Sequence, residues 1–372
     1  MNVLLVEPFL SGSHQTWAKS YQHCSQHNVD ILALPGRHWK WRMHGGAVSL
    51  AQQFLKQAKQ TDLILATDML DLAVFLGLSR AKSVNLPTVL YFHENQISYP
   101  WSPTDQDAKL GRNNHYGFIN YTSALSASAI FFNSSYHQNS FLQGLKPFLQ
   151  QFPDHQELST IAAISGKAKV LPLGMNLKKF DTFRTVPSPG PARILWNHRW
   201  EYDKNPTEFF QVLFRLKAEG IAFEVIILGA AYKKQPPIFA EAAKKLADRI
   251  LHMGFAEDFA SYAKYLWQSD ILPVTGKQDF FGGSVVEAMY CNCFPLLPHR
   301  LAYPEHIPSA FHSQHLYENS AAYYTQLKSA ILSVEEIRKS IFVQNFVKHY
   351  DWSILAPTYD QSLQAIVEKT SK

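Results

Sequence analysis

The chain has 372 residues, 46% hydrophobic and 17% charged, with a net charge of +5 and 16 histidines. Such a composition describes a compact chain long enough for two domains with separate cores, and it excludes extended disorder. No apolar run approaches the roughly 20 residues a membrane-spanning helix needs, and MNVLLVEPFL lacks a basic segment and a cleavage site, so the expected location is cytoplasmic.

From the first residue, short β-rich apolar runs alternate with longer amphipathic stretches. Parallel strands are predicted over Val3–Val6, Asp30–Leu34, Leu63–Ala66, Thr88–Phe92, Ala129–Phe132 and Lys169–Leu171, with helices over Leu50–Lys59, Asn114–Ser128 and Ser135–Leu149. The prolines and glycine of FRTVPSPGP then break the pattern and predict an interdomain linker. Alternation resumes with strands over Ile194–Asn197, Phe223–Leu228, Ile250–Met253, Asp270–Pro273 and Phe294–Leu297. Trp352, Leu355, Tyr359 and Leu363 share one face of a final helix over Asp351–Glu368. The expected organisation is α/β, with a Rossmann-like acceptor-side domain over 1–180, a linker over 181–191, a Rossmann-like donor domain over 192–348, and a C-terminal helix over 349–372 that packs back across the junction. Ligands are expected in a cleft between the strand ends of the two halves.

Polar residues concentrate where strands end. After the first strand, EPFLSGSHQTW offers Gly12 and Ser13 as backbone for a ligand phosphate, with His14 nearby and a helix from near Thr16. An ordinary glycine turn reads the same way. The fourth strand exits into His93, Glu94, Asn95 and Gln96, which must face a ligand or be satisfied in a capping turn. A histidine there can bond a sugar hydroxyl, or its carbonyl can meet the reacting centre. Asn133, Ser134 and Ser135 after the fifth strand read as helix caps.

In the loop Pro35–Gly46, Arg37, Lys40 and Arg42 interleave with Trp39 and Trp41. Two readings stand: cations and exposed indoles for single-stranded RNA, or tryptophans in the core beside solvated cations. The three cysteines, Cys24, Cys291 and Cys293, are too few for a disulfide framework or a closed zinc site.

Arg199 and Lys204, separated by four residues, follow the strand Ile194–Asn197 and precede a helix opened by Pro206. Cations in that position suit a diphosphate, although Glu201 and Asp203 are also available as ordinary ion-pair partners. Asp279 and Glu287 bracket DFFGGSVVE, where Gly282, Gly283 and Ser284 let backbone N–H groups approach an anion and the carboxylates can accept from hydroxyls. Cations for a diphosphate with acids for sugar hydroxyls describe a nucleotide-sugar site.

This arrangement resembles the retaining GT-B glycosyltransferases of family 4 along nearly the whole chain. The resemblance implies that Arg199 and Lys204 hold the donor diphosphate, the backbone of Gly282, Gly283 and Ser284 caps its phosphates, and Glu287 bonds its ribose; Gly12 and Ser13, read from their own turn, complete the donor candidates. His93 matches the family's strand-end histidine near the transferred sugar. Asp279 stands where the family usually has Glu, one methylene longer. Catalytic roles thus fall to His93, Arg199, Lys204 and Asp279.

EPFLSGSHQTW, LPGRHWKWRMHG, FHENQISYP, HRWEYDKNP and DFFGGSVVEAMYCNCFPLL are similar to a tRNA-modifying branch of that family, which mannosylates queuosine. That similarity implies GDP-mannose as donor and the cyclopentenediol of queuosine, at the wobble position of a tRNA anticodon, as acceptor. His14, Arg37, Trp39, Lys40, Trp41, Arg42, Asn95 and Gln96 are the acceptor or RNA candidates. No metal and no permanently bound cofactor are expected, since two cationic side chains stand in for a divalent ion. No membrane contact is expected. The alternatives are a family 4 enzyme with a lipid or polysaccharide acceptor, and a non-catalytic nucleotide-sugar or tRNA-binding module.

Overall fold

The computed structural model describes residues 1–102, 105–110, 114–185, 189–229, 235–340 and 342–370. Two compact units emerge: Met1–Met175 with the C-terminal helix Trp352–Thr370, and Asn176–Asp351. Each is a parallel α/β layer structure.

In the first unit, β1 (Asn2–Leu10), β2 (Asn28–Pro35), β3 (Leu63–Thr67), β4 (Thr88–Phe92), β5 (Ala129–Phe132) and β6 (Ala168–Val170) form one sheet in the order β2-β1-β3-β4-β5-β6. β3 and β4 are buried along their whole length, which is why they read as unbroken apolar runs. The second unit repeats the design with β7 (Ala192–Asn197), β8 (Phe223–Leu228), β9 (Ile250–Gly254), β10 (Ile271–Pro273), β11 (Phe294–Pro298) and β12 (Leu316–Tyr317), ordered β12-β11-β10-β7-β8-β9. Every strand expected from the sequence is present. The two-residue β12 is too short to leave a pattern in the sequence.

In each sheet the chain reverses its direction of travel once, between β1 and β3 and between β7 and β10. Such switch points leave a crevice at the carboxyl ends of the strands. The expected site residues follow those strands: Gly12 after β1, His93 after β4, Arg199 and Lys204 after β7, and Asp279 after β10.

Three local expectations change. The helix after β1 spans Gly12–Cys24, so Gly12, Ser13 and His14 form its first turn, with Gly12 at φ 52°. Pro35–Gly46 is only briefly a loop, because the helix Trp39–Lys56 begins inside it. Its buried face, Met43, Ala47, Leu50, Ala51 and Phe54, extends back through Gly46, whose hydrogen lies against Pro8 where a Cβ would sit 3.0 Å from that ring. Finally, the linker at 181–191 is described only in part, since residues 186–188 lie outside the described residues. Its beginning belongs to the turn Lys178–Phe183 in the second unit, with Phe180 buried and Asp181 accepting from the Tyr290 hydroxyl at 3.0 Å.

The C-terminal helix buries Trp352, Leu355, Tyr359 and Leu363 within the first unit. Trp352 lies flat on Gly174, where a Cβ would be 2.6 Å from the indole. Its amide donates to the Met175 carbonyl at 2.9 Å. Asp360, also buried, accepts from the Tyr21 hydroxyl (2.8 Å), Ser25 Oγ (2.6 Å) and the Gln26 amide (2.8 Å). Removing the acceptor leaves the buried Tyr21 hydroxyl unsatisfied and also takes the side-chain partner from Ser25 and Gln26, which are nearer the surface. Asp360→Ala should therefore cost about 2–4 kcal/mol in chemical denaturation, while Gln364→Ala on the same helix stays within roughly 0.5 kcal/mol.

Candidate active site

The second unit assembles its charged groups at the switch point between β7 and β10. Lys204 ends the 3-10 turn Tyr202–Lys204, and Asn205 at φ 53° then starts the helix Pro206–Ala218. The buried Lys204 ammonium lies 3.0 Å from Asp279 Oδ2 and 3.2 Å from Asp203 Oδ2, and it donates to the Gln278 carbonyl at 2.7 Å. Burial alone would lower its pKa. The carboxylates of Asp279 and Asp203 outweigh that and hold it above its ordinary value.

Asp279 shows the converse balance: burial pushes it up, but Lys204, His198 and the Tyr303 hydroxyl at 2.6 Å bring it below the usual carboxylate range. Arg199 pairs with Glu201 at 3.2 Å, yet its side chain remains 52% exposed. The local ion pairs with Glu201 and Asp203 therefore form, and Arg199 still reaches solvent.

Gly282, at φ 85°, caps the helix Gly283–Tyr290. A Cβ there would strain the backbone and approach the Tyr303 ring at 3.3 Å. Gly283 and Ser284 form the helix's first turn, and the Ser284 carbonyl accepts from Asn197 Nδ2 at 3.0 Å. Asn197 is also tied to Tyr262, whose hydroxyl donates to Glu287 Oε2 at 2.6 Å. Burial holds the Glu287 carboxyl above its ordinary value despite Tyr262 and Lys179. Among the described residues nothing bonds its Oε1, which remains an acceptor.

In the first unit the polar groups line the ends of β1, β3, β4 and β5. His14 Nδ1–H donates to the buried Glu7 carboxylate at 2.9 Å. Burial would keep this imidazole neutral, but Glu7, with Asp68 and Glu94, raises its pKa to about 9. The ring of His93 lies 4.3 Å from that of His14. Its amide donates to Asp68 Oδ1 at 2.8 Å, and its carbonyl accepts from Asn133 Nδ2 at 2.9 Å. Burial and the neighbouring His14 cation hold the His93 ring neutral, and its buried Nε2 has no partner among the described residues. Asp68 is pushed up to about 8, mainly by burial.

Ligand atoms of Glu7, His14 and His93 all lie within 4.8 Å of one another, close enough to converge on a metal ion. Glu7 already holds His14 at Nδ1, so an ion here would take His14 through Nε2, and a ring with a pKa of about 9 opposes the loss of that proton.

Asn95 does not face a ligand. It is fully buried, and its Oδ1 accepts from the amides of Ile97 and Ser98 at 3.1 and 2.8 Å, so it builds the turn. Gln96 bonds Glu94 Oε1 at 2.9 Å and remains half-exposed. Ser134 caps its helix by accepting from the His137 amide at 3.0 Å, as expected.

The basic aromatic segment divides between its two readings. Trp39 packs against Tyr116 and Trp101 with ring centroids 5.2 and 6.3 Å away. The Lys40 ammonium is held by Asp105 at 2.7 Å and Asp107 at 2.5 Å, beside those same rings. Trp41 is 63% exposed, its indole lying on Gly45, where a Cβ would be 2.6 Å from the ring. Arg37 is exposed, and Arg42 donates to the Pro35 carbonyl at 3.1 Å.

Several neighbours escaped the sequence reading. Glu7, Asp68 and Asn133 hold His14 and His93; Tyr262 and Tyr303 hold the two acids of the second unit. Asp68 did carry a signal, a polar residue directly after an apolar strand. The tyrosines had none, because their contacts span long sequence separations. His198 adds a buried imidazole beside this site, with Nδ1 3.2 Å from Ser284 Oγ and its pKa lowered to about 4, chiefly by burial.

The family model described as tRNA-queuosine alpha-mannosyltransferase N-terminal matches residues 2–175. A Drosophila melanogaster protein named tRNA-queuosine alpha-mannosyltransferase is 31% identical over 356 residues, covering 93% of this chain and 91% of that protein. Among solved structures, sucrose-phosphate synthase from Thermosynechococcus elongatus superposes with a TM-score of 0.71 at 12% identity, covering 99% of this chain and 100% of that one. Anabaena HepE in complex with UDP gives a TM-score of 0.64 at 14% identity, covering 98% and 100%. At these identities the structural neighbours establish the fold, which is GT-B.

The Glu7–His14 pair makes a pH-dependent contribution to stability. A histidine raised from 6.5 to about 9 stabilises the fold fully below pH 6.5, and that contribution is lost as pH rises through 9. Asp68, protonated in the fold up to about pH 8, acts in the same direction. Glu7→Gln should lower the denaturation midpoint clearly at pH 6 and far less at pH 9.5. Equal losses at both pH values would contradict the charged pair.

Proposed function

The chain belongs to the tRNA-queuosine alpha-mannosyltransferase family and is a glycosyltransferase acting on tRNA, and we propose that it moves mannose from GDP-mannose to a hydroxyl of queuosine at the wobble position. The observation that carries this reading is the clustering of Arg199, Lys204, Asp279 and Glu287 around the β7/β10 switch point and the Gly283–Tyr290 helix start. Two cations and a helix N-terminus suit a diphosphate; Asp279 Oδ1 and Glu287 Oε1 suit sugar and ribose hydroxyls.

The glycosidic C–O bond to the diphosphate breaks, and both bonding electrons leave with the phosphate oxygen. Arg199, Lys204 and the amides of Gly283 and Ser284 stabilise that charge as it develops. The acceptor hydroxyl attacks the anomeric carbon from the same face and gives its proton to the departing phosphate, so configuration is retained. No side chain becomes glycosylated. His93 is assigned to the transferred sugar and stays a neutral hydrogen-bonding group, because burial and His14 keep protons off it. Its carbonyl, already accepting from Asn133, retains one lone pair.

In the first unit, Trp41 with Arg37 and Arg42 forms the RNA-contacting edge of the helix Trp39–Lys56. An indole supported on a glycine presents its face for stacking on an unpaired base. Trp39 and Lys40 instead brace that helix against Trp101, Tyr116, Asp105 and Asp107.

Arg199→Ala is the cleaner test of the clamp. Its side chain is half exposed, and kcat with GDP-mannose and queuosine-containing tRNA should fall roughly 100- to 1,000-fold. Lys204→Ala should lose activity and also about 3–5 kcal/mol of stability, since Asp203 would remain buried and uncompensated and Asp279 would keep only the Tyr303 hydroxyl. A folded Arg199→Ala protein with wild-type rates would overturn the site. Turnover should persist in EDTA, because the two cationic side chains serve where a divalent ion otherwise would.

Trp41→Ala should weaken tRNA binding by about tenfold to a hundredfold while sparing the donor KM. Arg37→Ala should lower the salt slope of binding by about 0.7 to 0.9. Unchanged tRNA affinity in both would remove that surface from recognition.

A further inference from the structure

Asp279 is held unsymmetrically. Its Oδ2 receives both the Tyr303 hydroxyl at 2.6 Å and the Lys204 ammonium at 3.0 Å, while no described residue bonds Oδ1. The side chain retains 19% exposure, so the unbonded oxygen is accessible to a ligand.

Tyr303 is entirely buried and begins the 3-10 turn Tyr303–His306. From the same segment, His306 Nε2–H donates to the Phe281 carbonyl at 2.6 Å and the Arg300 guanidinium to the Gly276 carbonyl at 3.2 Å. Residues 300–306 thus strap the loop Gly276–Gly282 at three points. The phenol fits only because residue 276 is glycine: a Cβ there would lie 2.4 Å from the hydroxyl. Burial and the adjacent carboxylate hold the phenol far above its ordinary pKa, so it donates throughout the physiological range.

We propose that Tyr303 is a positioning residue for sugar transfer: with Lys204 it anchors Asp279 Oδ2, so that Oδ1 alone is presented to a hydroxyl of the transferred sugar. The shorter aspartate thereby serves where a longer glutamate would otherwise reach. This rests on the assignment of Asp279 to the donor sugar. A carboxylate held by two donors cannot rotate to offer its other oxygen, so one hydroxyl is selected at one place.

The test is steady-state kinetics with GDP-mannose and queuosine-containing tRNA, on proteins shown to be folded by thermal melting. Tyr303→Phe should lower kcat about tenfold while the donor KM changes less than threefold, as expected for a lost orienting bond. Asp279 then loses a donor to its charged form, so its pKa rises and the acid limb of the kcat profile should move up by roughly half to one pH unit. A merely structural role would not move that limb.

Gly276→Ala, which displaces the same hydroxyl from the other side, should reproduce both effects and serves if Tyr303→Phe does not fold. Asp279→Glu should be slow, and the Asp279→Glu/Tyr303→Phe pair should be faster than the product of the single losses, since removing the hydroxyl makes room for the added methylene. Wild-type kcat with an unmoved limb in Tyr303→Phe, or multiplicative losses in the pair, overturns the proposal. Asp279→Ala at wild-type rate overturns the site assignment itself, and a wild-type protein that turns over no GDP-mannose overturns both.

Discussion

A buried ammonium cannot remain charged without company, and that constraint organises the second unit. Lys204 meets Asp279, Asp203 and the Gln278 carbonyl at the ends of β7 and β10, strands that are adjacent only because the sheet reverses there. Breaking such a pair from one side costs about 3–5 kcal/mol, so each loop locks the other. The result is a cation fixed in place before any ligand arrives. Preorganisation of that kind is what the proposed diphosphate clamp requires, because nothing need reorient as a bond breaks.

The first unit solves a different problem with the same materials. His93 must remain neutral while standing beside a protonated His14. Burial and electrostatic repulsion both favour that outcome, and Glu7 absorbs the neighbouring charge. Asp68 and Asn133 hold the backbone of His93 from either side, so its amide and carbonyl are set by hydrogen bonds from the residues that follow β3 and β5. Two adjacent imidazoles thus have opposite protonation states, which suits one to pairing and the other to hydrogen bonding a neutral hydroxyl.

The helix Trp39–Lys56 shows how one short string divides its labour. Alternate residues of WKWR fall on different faces once the backbone is helical, so Trp39 enters an aromatic cluster while Trp41 stays in solvent. Lys40 is drawn to Asp105 and Asp107, and a surface that looked uniformly basic is reduced to Arg37, Arg42 and one indole. The proposed contact with a single-stranded anticodon needs little more: stacking for the base and a few cations for the backbone.

Alternation of buried strands with amphipathic helices was enough to determine both α/β units, because a parallel strand covered on two faces must be apolar throughout. The glycines of DFFGGS and the cations of HRWEYDK were legible for a similar reason: their chemistry depends on neighbours in the chain and on position after a strand. Tertiary structure alone decided who holds whom. Tyr303 on Asp279, Tyr262 on Glu287, Asn133 on the His93 carbonyl and Asp360 on Tyr21 join residues that no local period connects. Hydrogen bonds are short and directional, so their partners are chosen by where the folded backbone brings two atoms within 3 Å or so, a distance that sequence spacing does not encode.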